Sequence, residues 1–276
     1  MIKISTAIIP VAGYGSRMLP VTKVVEKCML PVINRPVIDY VVADCIAAGI
    51  TNIVFVVGEG SDQLQRYYGH NAALERYLKD QHKEDYLPLI KPPEDVTFAY
   101  VEQTQSGKYG TAVPVTLASH FVEDDEQVLV LMGDDFVWNK DGSSELTRLI
   151  QSVKNKDEAA MLGVPVEKSE LSKYGVIKAN KDGIFEAIIE KPNIDDAPSN
   201  LINISKYVVP SKLLDYIVKS YYIEKTQGEY LITDPINEWV KDGGVMRVQR
   251  AVGKYLDGGN PKDWLAANNY IAQHSK

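Results

Sequence analysis

Short, unbroken apolar runs alternate with stretches of helical period along the first half of the chain. "ISTAIIPV", "TNIVFVV", "VTFAYV" and "QVLVLM" read as buried strands, since runs apolar on both faces belong to a parallel sheet covered by helices. Between the first two, Val37, Ile38, Val41, Val42, Cys45 and Ile46 recur at helical spacing, with Pro36 as the start and Gly49 as the stop. Ser61 is placed to cap a short helix after the second strand, and residues 71–83 read as helical. A polar connection over 84–95 leads into the third strand.

After about residue 157 the spacing tightens. "EAAMLGVPV", "YGVIKA", "GIFEAIIE" and "LINISKYVV" are strand-like runs with turn signals such as "KDG", which predicts mixed or antiparallel pairing. Helices over about 211–225 and 233–242, a strand "VMRVQRAV" and a helix from Pro261 follow. The expected fold is α/β: a mostly parallel, Rossmann-like mixed sheet flanked by helices, with a smaller antiparallel part. With no internal repeat, low-complexity tract or linker, residues 1–276 are read as one domain with halves at about 1–157 and 158–276.

The stretch after the first strand, "VAGYGSRMLPVTKVVEKCMLP", carries the candidate chemistry. Ligands in open α/β sheets bind beyond the carboxyl ends of the strands. There, Gly13 and Gly15 would let backbone N–H groups approach phosphate oxygens. A dinucleotide fingerprint needs a third glycine where Met18 stands, and the P-loop pattern is absent. Pro20 and Pro31 point to a long wrapping loop rather than an immediate helix, with Arg17 and Lys27 adding positive charge from two sides. Lys23 reads as surface.

Composition narrows the classes. A formal net charge of −7 and a pI near 5.2 disfavour a broad nucleic-acid or anionic-membrane surface. No segment has the apolar length of a membrane span, and "MIKISTAII" is too short for a signal peptide, so a cytoplasmic location is expected. Cys28 and Cys45 are too few for a disulfide framework or zinc cluster, and Cys45 falls on the apolar stripe of its helix. His70, His82, His120 and His274 are scattered in polar or helix-end contexts, so no catalytic triad is expected.

"AGYGSRMLPVTKVVEKCMLP" resembles the signature of the sugar-1-phosphate nucleotidylyltransferases, and within them most resembles the bacterial UTP–glucose-1-phosphate uridylyltransferases. The likeness continues through "YVEQTQSGKYGTAV", "VLVLMGDD", "KYGVI", "IIEKP", "GEYLITD" and "YLDGGNP", in the family's order. It implies a nucleotide-binding first half and a sugar-binding second half. Ala12, Gly13, Gly15, Ser16, Gln103 and Gly110 would hold the nucleotide, with Gln105 competing with Gln103 for the uracil edge. Read without the resemblance, a turn or cap role fits Asp135 better than Asp134, and a pair such as Glu190–Lys191 is more often a solvated surface pair. The resemblance assigns Mg2+ to Asp134 and Asp257, and the sugar to Gly175 and Glu190, with Lys191 on its phosphate.

The implied reaction is UTP plus glucose 1-phosphate giving UDP-glucose and pyrophosphate, with Arg17, Lys27 and Lys191 as the catalytic cations. A homodimer or homotetramer is implied, with no nucleic acid or membrane partner. Two alternatives stand beside it: a catalytically weak, nucleotide-sugar-binding regulatory paralogue, and the same fold using dTTP or another hexose 1-phosphate. The paralogue reading expects loss of Arg17, Lys27 or an aspartate, and all are present. Three positions depart from the family pattern: Glu26 stands where proline is common, Lys108 where a small residue is usual, and Ser205 where many relatives have glycine.

Overall fold

The computed structural model describes residues 4–104, 107–223 and 228–275. Its centre is a nine-stranded sheet, numbered here in chain order: β1 (Thr6–Pro10), β2 (Asn52–Gly58), β3 (Thr97–Gln103), β4 (Val128–Leu131), β5 (Ala159–Pro165), β6 (Gly175–Ala179), β7 (Phe185–Glu190), β8 (Leu201–Val209) and β9 (Met246–Arg250). The spatial order is β7-β6-β8-β4-β1-β2-β3, with β5 also paired to β8 and β9 to β5. β4, β1, β2 and β3 are mutually parallel. β8 runs antiparallel to β4, β5 and β6. The second half of the chain thus supplies antiparallel strands, as its spacing predicts, and they extend the same sheet.

The parallel part is buried on both faces, which is why its strands read as continuous apolar runs. Ile8 and Ile9 are both fully buried, on opposite faces. Ile9 and Phe55 pack under the helices Val37–Ala47, Glu145–Ser152 and Pro261–His274. Ile8 and Val56 face Ala112–Ala118, Ser211–Ile223 and Thr233–Lys241. Cys45 is buried in the first layer, in the packing role its stripe predicts. No helix among the described residues is long and apolar enough to cross a membrane.

The topology fixes one special place. From β1 the chain crosses to β2 on one side, and from β3 it returns to β4 on the other. The loops leaving β1 and β4 therefore diverge at the strand-order reversal, where ligands bind in such sheets. The loop after β1 holds no α-helix until Val37; it has 3-10 turns at Ser16–Met18, Val21–Lys23 and Lys27–Met29 and a short antiparallel pair, Pro31–Val32 with Arg35–Pro36. After β4, Asp135–Trp138 pairs antiparallel with Lys254–Asp257, setting Asp257 opposite Asp135. The helix after β2, Gln63–Tyr68, is capped by Asp62 without a side-chain bond. Ser61 is thus not its cap, because its hydroxyl donates instead to Glu26 in the loop after β1.

At the opposite edge, Glu158 precedes β5 and receives Arg247 of β9 through Nε (2.6 Å) and Nη2 (2.9 Å). It also accepts the Lys154 amide at 2.8 Å. The Arg247 hydrogen bonds hold the Glu158 carboxyl below its ordinary value of 4.5, against the pull of burial. A depressed carboxyl contributes stability above its unfolded value and loses it as pH falls below that. Glu158→Gln should therefore cost about 1–2 kcal/mol at neutral pH. In urea titrations the gap to the wild type should close as the pH is taken below 4.5.

Candidate active site at the strand-order reversal

A cleft of about 510 Å3 opens between the loops leaving β1 and β4. Ala12, Gly13, Gly15, Ser16, Arg17, Lys27, Gln103, Gly110 and Asp134 all line it, so the predicted nucleotide residues and one predicted metal ligand converge. Tyr14, Tyr109, Thr111, Pro114 and Met132 are also part of the wall. A larger cleft of about 660 Å3, beside Asp157 and Lys212, contains none of these groups and lies at the other edge of the sheet. None of the four histidines lines either cleft.

The glycine loop is set by local geometry. Gly15 has φ +61°, and a Cβ there would come within 3.0 Å of Lys27 Cβ and Thr22 Cγ2, so only glycine is comfortable. The Thr22 hydroxyl donates to the Gly15 carbonyl at 2.9 Å and the Met18 amide to the same oxygen at 2.8 Å. Arg17 is exposed and makes no ion pair with any described residue. Gln103 is 7% exposed, at the last register position of β3 beside Gly58. Gln105 lies outside the described residues. Gly110 has φ +108°, and a Cβ there would meet the Tyr230 carbonyl at 2.5 Å. Its glycine is therefore required by the close approach of residue 230, whatever ligand the loop admits.

Acidic groups gather at the exit of β4. Lys27 Nζ bonds Asp134 Oδ2, and the Gly258 amide donates to the Asp134 carbonyl at 2.9 Å, tying the Asp257 loop to it. Burial opposes the charge of Asp134, but the Lys27 ammonium holds its carboxyl below the usual range. Burial pushes Asp257 upward, the Gly259 amide at 2.6 Å partly offsets this, and Asp134 adds repulsion. Oδ2 of Asp257 accepts no hydrogen bond from a described residue. Two repelling, hard-oxygen carboxylates, one with an open oxygen, suit a divalent cation that completes its shell with phosphates and water. No cluster of three or more metal-binding side chains occurs among the described residues.

Asp135 belongs to the floor rather than the cleft. Burial pushes its carboxyl up to about 6, with the Lys206 ammonium pulling the other way. Lys206, 4% exposed, bonds its Oδ1 and donates to its carbonyl at 3.2 Å. The Tyr255 hydroxyl donates to Oδ2 at 3.0 Å. Sequence reasoning missed both partners; the available signal was a lysine inside the apolar run "LINISKYVV". Cys28 is buried, and burial pushes its thiol strongly up, which disfavours the thiolate.

The predicted sugar residues occupy the same edge but a different part of it. Gly175 opens β6 opposite Glu190, which ends β7, and Val176 pairs with Ile202 at the start of β8. Two strand spacings separate β6 from β4, about 10 Å. A Cβ on Gly175 would sit 2.9 Å from Glu190 Oε1, so the carboxylate lies over the glycine. Lys191 has φ +44° and is exposed; its amide donates to the Tyr174 carbonyl at 3.1 Å. Burial raises the Tyr174 hydroxyl to about 12, with Asp257 contributing next, so this end of β6 lies within the field of the acidic cluster.

The three departures all have partners. Glu26 accepts Ser61. Lys108 donates to the Tyr221 carbonyl, with Nζ 4.2 Å from the Tyr221 ring centroid and 4.9 Å from that of Tyr230. Ser205 takes the left-handed conformation (φ +52°) that glycine would favour, with its amide held by Asn203 Oδ1 at 3.0 Å.

Comparison with known proteins places the chain in a family. The nucleotidyl transferase family matches residues 6–274. A UTP–glucose-1-phosphate uridylyltransferase of Pseudomonas aeruginosa is 33% identical over 281 residues, covering 98% of this chain and 97% of its own. A UTP-bound UGPase from Acinetobacter baumannii superposes with a TM-score of 0.87 at 28% identity, covering 99% of this chain and 95% of its own. A UDP-glucose pyrophosphorylase complexed with UDP-glucose gives 0.80 at 27% identity, with 98% and 99% covered.

The Lys206–Asp135 pair yields a stability test. Lys206→Met leaves a buried carboxylate without its cation and should cost about 3–5 kcal/mol in urea unfolding. Adding Asp135→Asn should recover a large part of that loss, because the uncompensated charge is then gone.

Proposed function

The chain belongs to the nucleotidyl transferase family, and on that premise we propose that it transfers a uridylyl group from UTP to glucose 1-phosphate, releasing pyrophosphate. One observation carries the reading. The Lys27–Asp134–Asp257 cluster lies between an anion-ready glycine loop on β1 and the Glu190–Lys191 end of β7, along one sheet edge. Two phosphorylated substrates entering from those sides would meet above β4. The relatives named above bear the same activity in their names.

In this reaction an oxygen of the sugar phosphate attacks the α-phosphorus of UTP, and the bond from that phosphorus to the β-bridging oxygen breaks. The nucleophile is already an anion, so no general base is needed. The task is to align two repelling anions and neutralise the developing charge. The amides of Gly13 to Ser16 and Arg17 would hold the β- and γ-phosphates, leaving the α-phosphate near Lys27. Gln103, buried at the tip of β3, would present its amide to the uracil edge. Lys191 would receive the sugar phosphate and Glu190 the sugar hydroxyls. The left-handed backbone at Lys191 suits a side chain held for a purpose.

The family generally works with a divalent metal, and we assign magnesium to Asp134 and Asp257. Bound there, it would supply charge neutralisation at the α-phosphate and the departing pyrophosphate. Lys27, now on Asp134, would then turn its ammonium to the phosphates. The first half of the chain serves the nucleotide and the second the sugar.

Asp134→Asn and Asp257→Asn should each leave the fold intact and lower kcat by about 10² or more. Wild-type rates for either variant would remove these two residues from the proposed site. A second test divides the basic groups. Arg17→Ala should weaken UTP binding about ten- to a hundredfold by calorimetry, the scale of one charge-assisted phosphate bond. Lys191→Ala should instead weaken glucose 1-phosphate and leave UTP nearly unchanged. Equal loss of UTP affinity in both would place Lys191 on the triphosphate.

A further inference from the structure

Glu26 presents a physical problem. A carboxylate next to Lys27, at the mouth of a site for anions, should repel the ligand. The structure turns it away: Glu26 is not among the residues lining the cleft. Its Oε1 accepts the Ser61 hydroxyl, and its amide donates to Gln63 Oε1 at 3.1 Å. Gln63 Nε2 donates in turn to the Val24 carbonyl at 2.8 Å. Residues 24 and 26 are therefore gripped by the turn that follows β2. That turn is itself anchored, with the Ser61 amide on the Gly58 carbonyl at 3.1 Å and the Gly60 amide on Glu102 Oε1 at 2.6 Å.

The grip falls where the loop has least order of its own. Lys27 opens a single 3-10 turn, Lys27–Met29, whose N-cap position is Glu26 and which has no side-chain cap hydrogen bond. Local hydrogen bonds in so short a turn fix little. The orientation of Lys27 toward Asp134 then draws on contacts outside the turn, and those made through Glu26 include Ser61 and Gln63. We propose that Glu26, held by Ser61 and Gln63, is a positioning residue that sets the Lys27 ammonium against Asp134 and the phosphates. This rests on the uridylyl-transfer reading for its kinetic consequence, though not for its structural one. The device works through hydrogen bonding rather than charge, so glutamine should replace Glu26 and alanine should not.

Two measurements test it together. The first is the acetylation rate of Lys27 under limiting acetic anhydride, read by mass spectrometry against the exposed Lys79. Lys27 should be protected in the wild type and in Glu26→Gln, and become several-fold more reactive in Glu26→Ala and Ser61→Ala. The second is turnover of UTP and glucose 1-phosphate. Glu26→Ala and Ser61→Ala should each lower kcat about tenfold, as expected for a displaced catalytic group, with KM for glucose 1-phosphate held. The double variant should be no worse than either single one. Unchanged Lys27 reactivity in Glu26→Ala overturns the proposal, whatever the turnover. So does a Glu26→Gln variant as impaired as Glu26→Ala, or additive losses in the double variant. A wild type that shows the reactivity pattern but no turnover would instead defeat the uridylyl-transfer reading and leave the positioning role standing.

Discussion

Asp134, Asp135 and Asp257 crowd the exit of β4, and charge repulsion among them is the constraint that the surrounding structure meets. Each is compensated differently. Lys27 reaches Asp134 from the loop after β1, Lys206 reaches Asp135 from within β8, and the Gly259 amide takes one oxygen of Asp257. Buried carboxylates remain charged only with such partners. Lys206 and Tyr255 lock Asp135 into the floor, which fixes the backbone that carries Asp134. Compensation is complete below and partial above. Asp257 keeps an oxygen, and Arg17 in the cleft wall a guanidinium, without a partner among the described residues.

The sheet order makes this arrangement possible. Because β1 lies between β4 and β2, the glycine loop and the Asp134 loop open away from each other and leave a cleft between them. The antiparallel β8 then carries the edge onward to β6 and β7, so that Gly175, Glu190 and Lys191 come to the same rim. A single continuous sheet thus sets the glycine loop on β1 and the Glu190–Lys191 end of β7 four strand spacings apart, about 19 Å, with the acidic cluster between them.

Much of this was legible in the sequence because the parallel strands are covered on both sides, and burial on both faces leaves an unbroken apolar run. The glycine loop was legible for a different reason: glycines at a strand end, prolines against a helix and two cations make a pattern with few structural uses. What escaped depends on partners distant in the chain. Ser61 has the residue type of a helix cap, yet its hydroxyl is taken by Glu26, 35 positions away. Lys206 sits in an apolar run, and nothing local announces that Asp135 lies across the strand pair. Glu26 and Lys108 were recognisable as departures, while their compensations, by the turn after β2 and by two tyrosine rings, exist only in the folded chain.

The central claim is that this edge joins a uridine triphosphate to a hexose 1-phosphate. It is tested most directly by incubating the purified protein with each nucleoside triphosphate crossed with a panel of sugar 1-phosphates, and measuring pyrophosphate release. The account predicts fastest release for UTP with glucose 1-phosphate, with UDP-glucose formed in equal amount and no release when either substrate is omitted. Release that does not require a sugar phosphate, or none with UTP and any hexose 1-phosphate, would contradict it.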